Sequence, residues 1–184
     1  DRRLELCQQY VRELIDRDKN HPGVIMWSLA NEPHSNDPAA KPFFRALHDL
    51  AKSLDPSRPT TVVNMGGVTD EAFEFVDVVC VNRYYGWYTQ SGQLAAGFDA
   101  LSQELDALHA RHPKPFILTE FGADCLAGMH AQPPEMWTEE YQADMIMGTL
   151  NVAAAKPYVV GYHVWNLCDF KTGQAVFRMG GLNL

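Results

Sequence analysis

Five short apolar runs alternate with amphipathic stretches along a chain of 184 residues, and this alternation predicts an α/β fold with helices covering a parallel sheet. Several runs, such as VIMWSLA (24–30) and FILT (116–119), are apolar at successive positions, as strands buried on both faces are. Two architectures share these features, an open doubly wound sheet and a (β/α)8 barrel. No Gly-rich phosphate loop follows any strand, which weakens the dinucleotide-binding form of the first. A complete barrel takes eight strands and about 250 residues. Here a helix opens the chain, and GGLNL closes it just after a strand. The expectation is therefore a partial TIM barrel over residues 1–184, about strands four to eight with their helices, cut at both ends.

The elements follow in order. Residues 2–19 read as a helix, with Leu4, Cys7, Val11, Leu14 and Ile15 on one face. NHPG (20–23) stops it. VIMWSLA is the first strand and NEPHSNDPAAK a loop. A helix over about 42–54 turns Phe43, Leu47, Leu50, Ala51 and Leu54 inward, and DPSRP (55–59) ends it. TTVVNM (60–65) is a strand, 69–76 a short helix, and DVVCVN (77–82) begins another strand. Residues 93–111 form a helix on Phe98, Leu101, Leu105 and Leu108, broken by HPKP (112–115). FILTEFG (116–122) is the next strand. After a long loop, Thr138 reads as an N-cap, followed by Glu139 and Glu140 in the first turn of a helix running to about Lys156. YVVGYHVWNLCDF (158–170) is the last strand and its exit.

Composition narrows the function. A net charge of −8 with no basic cluster argues against nucleic acid, whose phosphates need clustered Lys and Arg. No apolar run approaches the ~20 residues of a membrane span, so no membrane partner is expected. The four cysteines (Cys7, Cys80, Cys125 and Cys168) form no CxxC pair and suggest no zinc site; Cys80 reads as a small buried hydrophobe. Absent structural disulfides favour a cytoplasmic setting.

Each clear strand changes from apolar to reactive residue types at its C-terminal end. The first ends in Asn31-Glu32, the third in Asn82-Arg83-Tyr84-Tyr85, the fourth in Glu120, and the last in Trp165-Asn166 and then Asp169. In parallel sheets this end carries the active site, so Glu32 and Glu120 are expected to converge. Paired carboxylates with aromatic walls suit glycoside cleavage, in which one carboxylate faces a cationic transition state and the other carboxyl protonates the leaving oxygen. Trp27, Tyr84, Tyr85, Trp87, Tyr88, Trp137 and Trp165 are the candidate sugar platforms, some of them core residues.

Together WSLANEP, NRYYGWY, TEFGAD, LAGMH…EMWTEEYQ and HVWNLCDF resemble the catalytic barrel of the β-glucuronidases in glycoside hydrolase family 2, over essentially the whole chain. NEP alone marks a large clan of retaining barrel glycosidases; NRYYGWY and the LAGMH…EMWTEEYQ stretch point to the glucuronidase branch. The resemblance implies that Glu32 is the acid/base and Glu120 the nucleophile of a double displacement, with carboxyls roughly 5–5.5 Å apart. It implies that Tyr84 hydrogen-bonds the nucleophile, that Asn31 bonds the sugar 2-hydroxyl, that Tyr88 and Trp165 are active-site aromatics, and that Asn82 contacts substrate. It implies no metal and no cofactor. The substrate is a β-glucuronide or glucuronic-acid-containing oligosaccharide, and the parent protein a homo-oligomer carrying N-terminal β-sandwich domains. Relatives also occur in lysosomes. An Asn-x-Lys motif recognises the uronate in the family; here Asn183 supplies the asparagine, and the lysine position lies beyond Leu184.

Alternatives remain open at this stage. A family 2 β-galactosidase or β-galacturonidase shares these motifs, and a non-catalytic carbohydrate-binding remnant would share the fold. Arg83 reads either as a substitute cation for the uronate or as a structural ion pair. His163, on the same side of the strand as Trp165, touches the site or sits satisfied in the core. His34 lines the cleft or is an ordinary loop residue, His130 falls in a loop near the aglycone, and Asp169 is a structural cap. The 184-residue piece alone is expected to be poorly soluble and to turn over negligibly.

Overall fold

The computed structural model describes residues 2–170, which leaves Asn183 and the rest of the GGLNL stretch outside the described residues. Among the described residues, four α-helices and five strands follow in the order α1 (Arg2–Asp18), β1 (Trp27–Asn31), α2 (Lys41–Leu54), β2 (Thr60–Asn64), β3 (Val79–Asn82), α3 (Leu94–Arg111), β4 (Phe116–Glu120), α4 (Glu139–Ala154) and β5 (Val159–Tyr162), with only a 3-10 turn between β2 and β3. The strands lie in one sheet in the order β1-β2-β3-β4-β5. β1 pairs with β2, and β2 with β3, in parallel. Spatial order that follows chain order is the wall of a barrel; a doubly wound sheet reverses direction at a switch point. This resolves the choice between the two architectures in favour of the barrel class.

The chain divides into two compact units, Asp1–Asn82 with Ala107–Ile117, and Arg83–Asp106 with the chain from Leu118 onward. In the first, β2 and β3 are buried at every position, each lying between two other strands of the sheet. Val63, Val78 and Cys80 form a core cluster there with Met26 and Ile117. Burial pushes the Cys80 thiol up to about 11, so it packs as an inert hydrophobe. α1 buries Val11 and Ile15, and α2 buries Phe44, Leu47, Leu50 and Ala51. In the second unit, Trp87, Ala123, Tyr141 and Met145 make the core, with Tyr84, Leu94, Met136 and Trp137 packed against it. Thr138 caps α4 as expected, its hydroxyl accepting the Tyr141 N–H at 3.2 Å.

Several expectations need correction. Phe44, not Phe43, faces the core, because α2 begins at Lys41 and its inward stripe runs 44, 47, 50, 51. The first strand covers only Trp27–Asn31 and is buried at Trp27 alone. It is the outer strand of the described sheet, and its ladder begins only where the Trp27 N–H donates to Pro59 O, at 2.9 Å. The stretch 69–76 is a single 3-10 turn, Glu71–Glu74. The last strand stops at Tyr162, the other outer strand, with Val160 and Tyr162 exposed.

Candidate active site

In the first unit the chain turns sharply at the end of β1. The register to β2 slips between Ser28 and Asn31, and Glu32 takes φ 50°. A bulge re-aims the residues that follow it, and a non-glycine residue in the left-handed region persists only where its surroundings hold it. Here the Glu32 N–H donates to Val63 O at 2.9 Å. Asn82, at the end of β3 and 1% exposed, donates its Nδ2 to Glu32 Oε1 at 2.8 Å and to Asn31 Oδ1 at 3.2 Å. A side-chain amide held at the end of a buried strand fixes where the Glu32 carboxyl points.

The loop after Glu32 is held from behind. Asp70 is 6% exposed and accepts from Ser35 Oγ (2.6 Å), Asn64 Nδ2 (2.8 Å) and the Ala72 N–H (2.8 Å). The Glu71 N–H donates to Ser35 O at 2.9 Å. This buried knot ties the loop to the end of β2 and to the 3-10 turn. Sequence reading missed it; the available signal was Asp70 two residues before Ala72, the spacing of a capping side chain.

In the second unit Glu120 ends β4. Its carbonyl accepts the Arg83 N–H at 2.8 Å, and its Oε2 accepts the Tyr84 hydroxyl at 2.8 Å. The Tyr84 ring centroid stands 5.1 Å from that of Tyr88, which is 46% exposed. Arg83 and Tyr85, on either side of Tyr84, both bond Glu104 of α3. Burial first, and then the Glu104 bond, push the Tyr85 phenol up to about 12. The Trp165 N–H donates to Phe121 O at 2.9 Å. Gly122, at φ 150°, permits this approach, since a Cβ there would stand 2.7 Å from the Trp165 carbonyl. The loop over 125–137 is tied to the start of α4: the Gly128 N–H donates to Glu139 at 2.7 Å, and His130 Nδ1 lies 2.7 Å from Glu140, a contact that raises the imidazole above its ordinary value.

Of the residues singled out in the sequence, the structure brings Asn31, Glu32 and Asn82 together in the first unit. In the second it brings together Glu120, Tyr84 and Tyr88, and Trp165 pairs through its backbone one residue past Glu120. Other expectations change. Trp27 is 3% exposed, and its indole donates to Asp55 at 3.0 Å, so it is a core residue. Trp87 is 4% exposed and packs on Trp137 at 4.9 Å. Tyr85 bonds Glu104 instead of offering a sugar platform. Arg83 is an ion-pair residue, with a side chain only 3% exposed against Glu104. His163 is exposed and is no core histidine; His34 and Asp169 are exposed too. Among the described residues, no cluster of His, Cys, Asp and Glu is arranged to hold a metal ion, and no helix is long and apolar enough to cross a membrane.

Sequential strands whose spatial order follows chain order define a domain of the barrel class. Comparison makes the family definite: residues 1–183 match the profile of the glycosyl hydrolases family 2, TIM barrel domain, and the chain belongs to that family. A β-glucuronidase of Paenibacillus borealis is 46% identical over 171 residues, 92% of this chain and 28% of that protein. A β-glucuronidase of Homo sapiens is 42% identical over 178 residues, 94% of this chain and 27% of that one. The structure of a β-D-glucuronidase from Dictyoglomus thermophilum superposes with a TM-score of 0.93 at 45% identity, covering 98% of this chain and 31% of that one. The β-glucuronidase of Ruminococcus gnavus in complex with D-glucuronic acid superposes at 0.90, with 35% identity, covering 98% and 32%. The chain thus spans less than a third of the length of these relatives.

Proposed function

We propose that the protein carrying this chain is a retaining β-glucuronidase, and that residues 1–184 supply about strands four to eight of its catalytic barrel. The observation that carries the reading is the Tyr84 hydroxyl 2.8 Å from Glu120 Oε2. It pins one carboxylate oxygen and favours the ionised form, as a nucleophile requires.

In the first step a Glu120 oxygen attacks the anomeric carbon while Glu32 gives its proton to the departing glycosidic oxygen; an ester forms as the glycosidic bond breaks. In the second, Glu32 takes a proton from water, whose oxygen displaces Glu120 and restores the original configuration. Asn82 keeps the Glu32 carboxyl aimed through both steps. Asn31 bonds the sugar 2-hydroxyl, and Tyr88 and Trp165, each 46% exposed, offer apolar faces to the substrate. The relatives named β-glucuronidase, including those with D-glucuronic acid and coumarin-3-O-glucuronide bound, support a glucuronide as substrate. Arg83 is committed to Glu104, so uronate recognition falls to other groups, of which Asn183 is the candidate in this chain.

The test is hydrolysis of 4-nitrophenyl β-D-glucuronide by the full-length protein, with the product anomer followed by NMR. The β-anomer is expected first, and Glu120→Ala is expected to lose turnover by several orders of magnitude and to regain it with azide as an α-glycosyl azide. An α-anomer from the wild type, or wild-type turnover in Glu120→Ala, overturns the reading.

A further inference from the structure

Tyr84 acts on Glu120, but its own position is set by its neighbours. Arg83 and Tyr85, one residue to either side, turn to a single carboxylate, Glu104 on α3. Glu104 Oε2 accepts from Arg83 Nε at 2.9 Å and from the Tyr85 hydroxyl at 2.7 Å, and Arg83 Nη2 stands 2.9 Å from Oε1. Arg83 is 4% and Glu104 8% exposed. The same helix abuts the segment a second time: a Cβ on Gly97 would stand 2.8 Å from Gly86 N and 3.1 Å from Tyr85 C.

We propose that Glu104 is a positioning residue for the nucleophile, holding the Tyr84 hydroxyl on Glu120 through Arg83 and Tyr85. The proposal rests on Glu120 being the nucleophile. The Arg83 N–H on the Glu120 carbonyl sets the segment's register along β4, and the Tyr84 carbonyl accepts the Trp87 and Tyr88 N–H groups, each at 3.0 Å. A guanidinium and a phenol from the residues on either side of Tyr84, both anchored on one buried carboxylate, fix the direction in which the Tyr84 side chain leaves the backbone. A buried ion pair is a poor source of net stability, since a well-packed apolar pair serves as well or better; what it adds here is direction.

The test is a double-mutant cycle in the full-length protein. Glu104→Gln keeps the side chain's shape and removes its charge. It is expected to lower kcat about 10- to 100-fold, as small misplacements of reacting groups do, with KM changed less than about threefold. The acid limb of the kcat/KM profile should move to higher pH, because a hydrogen bond donated to a carboxylate favours its ionised form and this bond is weakened. In a Tyr84→Phe background the same change should cost less than about threefold more, since its route to Glu120 is already cut. Equal losses in both backgrounds, or an unmoved acid limb, overturn the proposal. If Glu104→Gln does not fold, Tyr85→Phe removes one hydroxyl and runs the same cycle by the same criteria. Wild-type turnover in Glu120→Ala instead overturns the nucleophile assignment itself, whatever the cycle gives.

Discussion

Asp70→Ala tests whether the loop behind Glu32 is held by the buried knot. The carboxylate accepts three hydrogen bonds at 2.6–2.8 Å, from the Ser35 hydroxyl, the Asn64 amide and the Ala72 N–H. Ser35 is fully buried, Asn64 is 4% exposed and Ala72 is fully buried. Hydrogen bonds to charged groups contribute about 1.5–3 kcal/mol each, and each buried donor left unpaired costs about 1–3 kcal/mol. Water entering the space left by the side chain relieves part of this, so the net cost is about 3–5 kcal/mol. For a domain of this size that lowers the melting temperature by roughly 6–20 °C. Asp37→Ala is the matched control on the same loop: its carboxylate accepts one exposed bond, from the Ala39 N–H at 2.9 Å, and caps a single turn. It should cost about 1 kcal/mol or less. Both variants are made in the full-length protein and followed by thermal melting and by kcat. The expected pattern is a large fall in both for Asp70→Ala and near wild-type values for Asp37→Ala. A melting temperature within about 2 °C of wild type for Asp70→Ala refutes the reasoning.

Other residues carry separate predictions. Asn82→Ala removes the amide that aims Glu32 and should lower kcat about 10- to 100-fold; Asn82→Asp should also move the basic limb of the pH–rate profile upward, because a like charge beside Glu32 favours its protonated form. Gly122→Ala forces a side chain at φ 150° against the Trp165 carbonyl and should cost about 1–3 kcal/mol, read from thermal melting. The Ser57 hydroxyl first, and then the Arg58 guanidinium, hold the Asp55 carboxyl well below the usual carboxylate range. A depressed folded-state value contributes stability that is present above the ordinary value near pH 4 and lost as pH falls below it. Melting temperatures measured from pH 7 to pH 3 should therefore fall less steeply at the acid end for Asp55→Asn than for wild type.

Periodicity made most of this fold legible. The inward residues Val11, Ile15, Leu101, Leu105 and Leu108 are all buried, and the Thr138 cap stands where its side chain type and the following glutamates put it. Errors arose where local pattern and tertiary pairing diverge. Val24, Ile25 and Met26 are as apolar as a strand should be, yet Ile25 is 75% exposed, because pairing with β2 starts only at Trp27. Glu32 and Glu120 stand out in the sequence because a carboxylate at the end of an apolar strand needs a reason, and in the structure Glu32 directly follows β1 and Glu120 ends β4. Glu104 does not stand out, although a signal exists: it lies three residues after Leu101 and four before Leu108, inside the apolar stripe of α3, where a charge must find a partner. Asp55 likewise reads as a helix stop, and only the structure reveals it beneath the Trp27 indole and the Arg58 guanidinium. Polar residues buried by partners distant in sequence leave no period to read.

The assignment of Glu120 as the attacking carboxylate is tested most directly by trapping. A 2-deoxy-2-fluoro-β-glucuronide with an activated leaving group slows both chemical steps, and the fast departure lets the ester accumulate. The full-length protein is treated, digested and mapped by mass spectrometry. The predicted result is one equivalent of fluoro-sugar esterified to Glu120. Label on Glu32 or on any other residue, or turnover of the parent glucuronide with no ester formed, would contradict it.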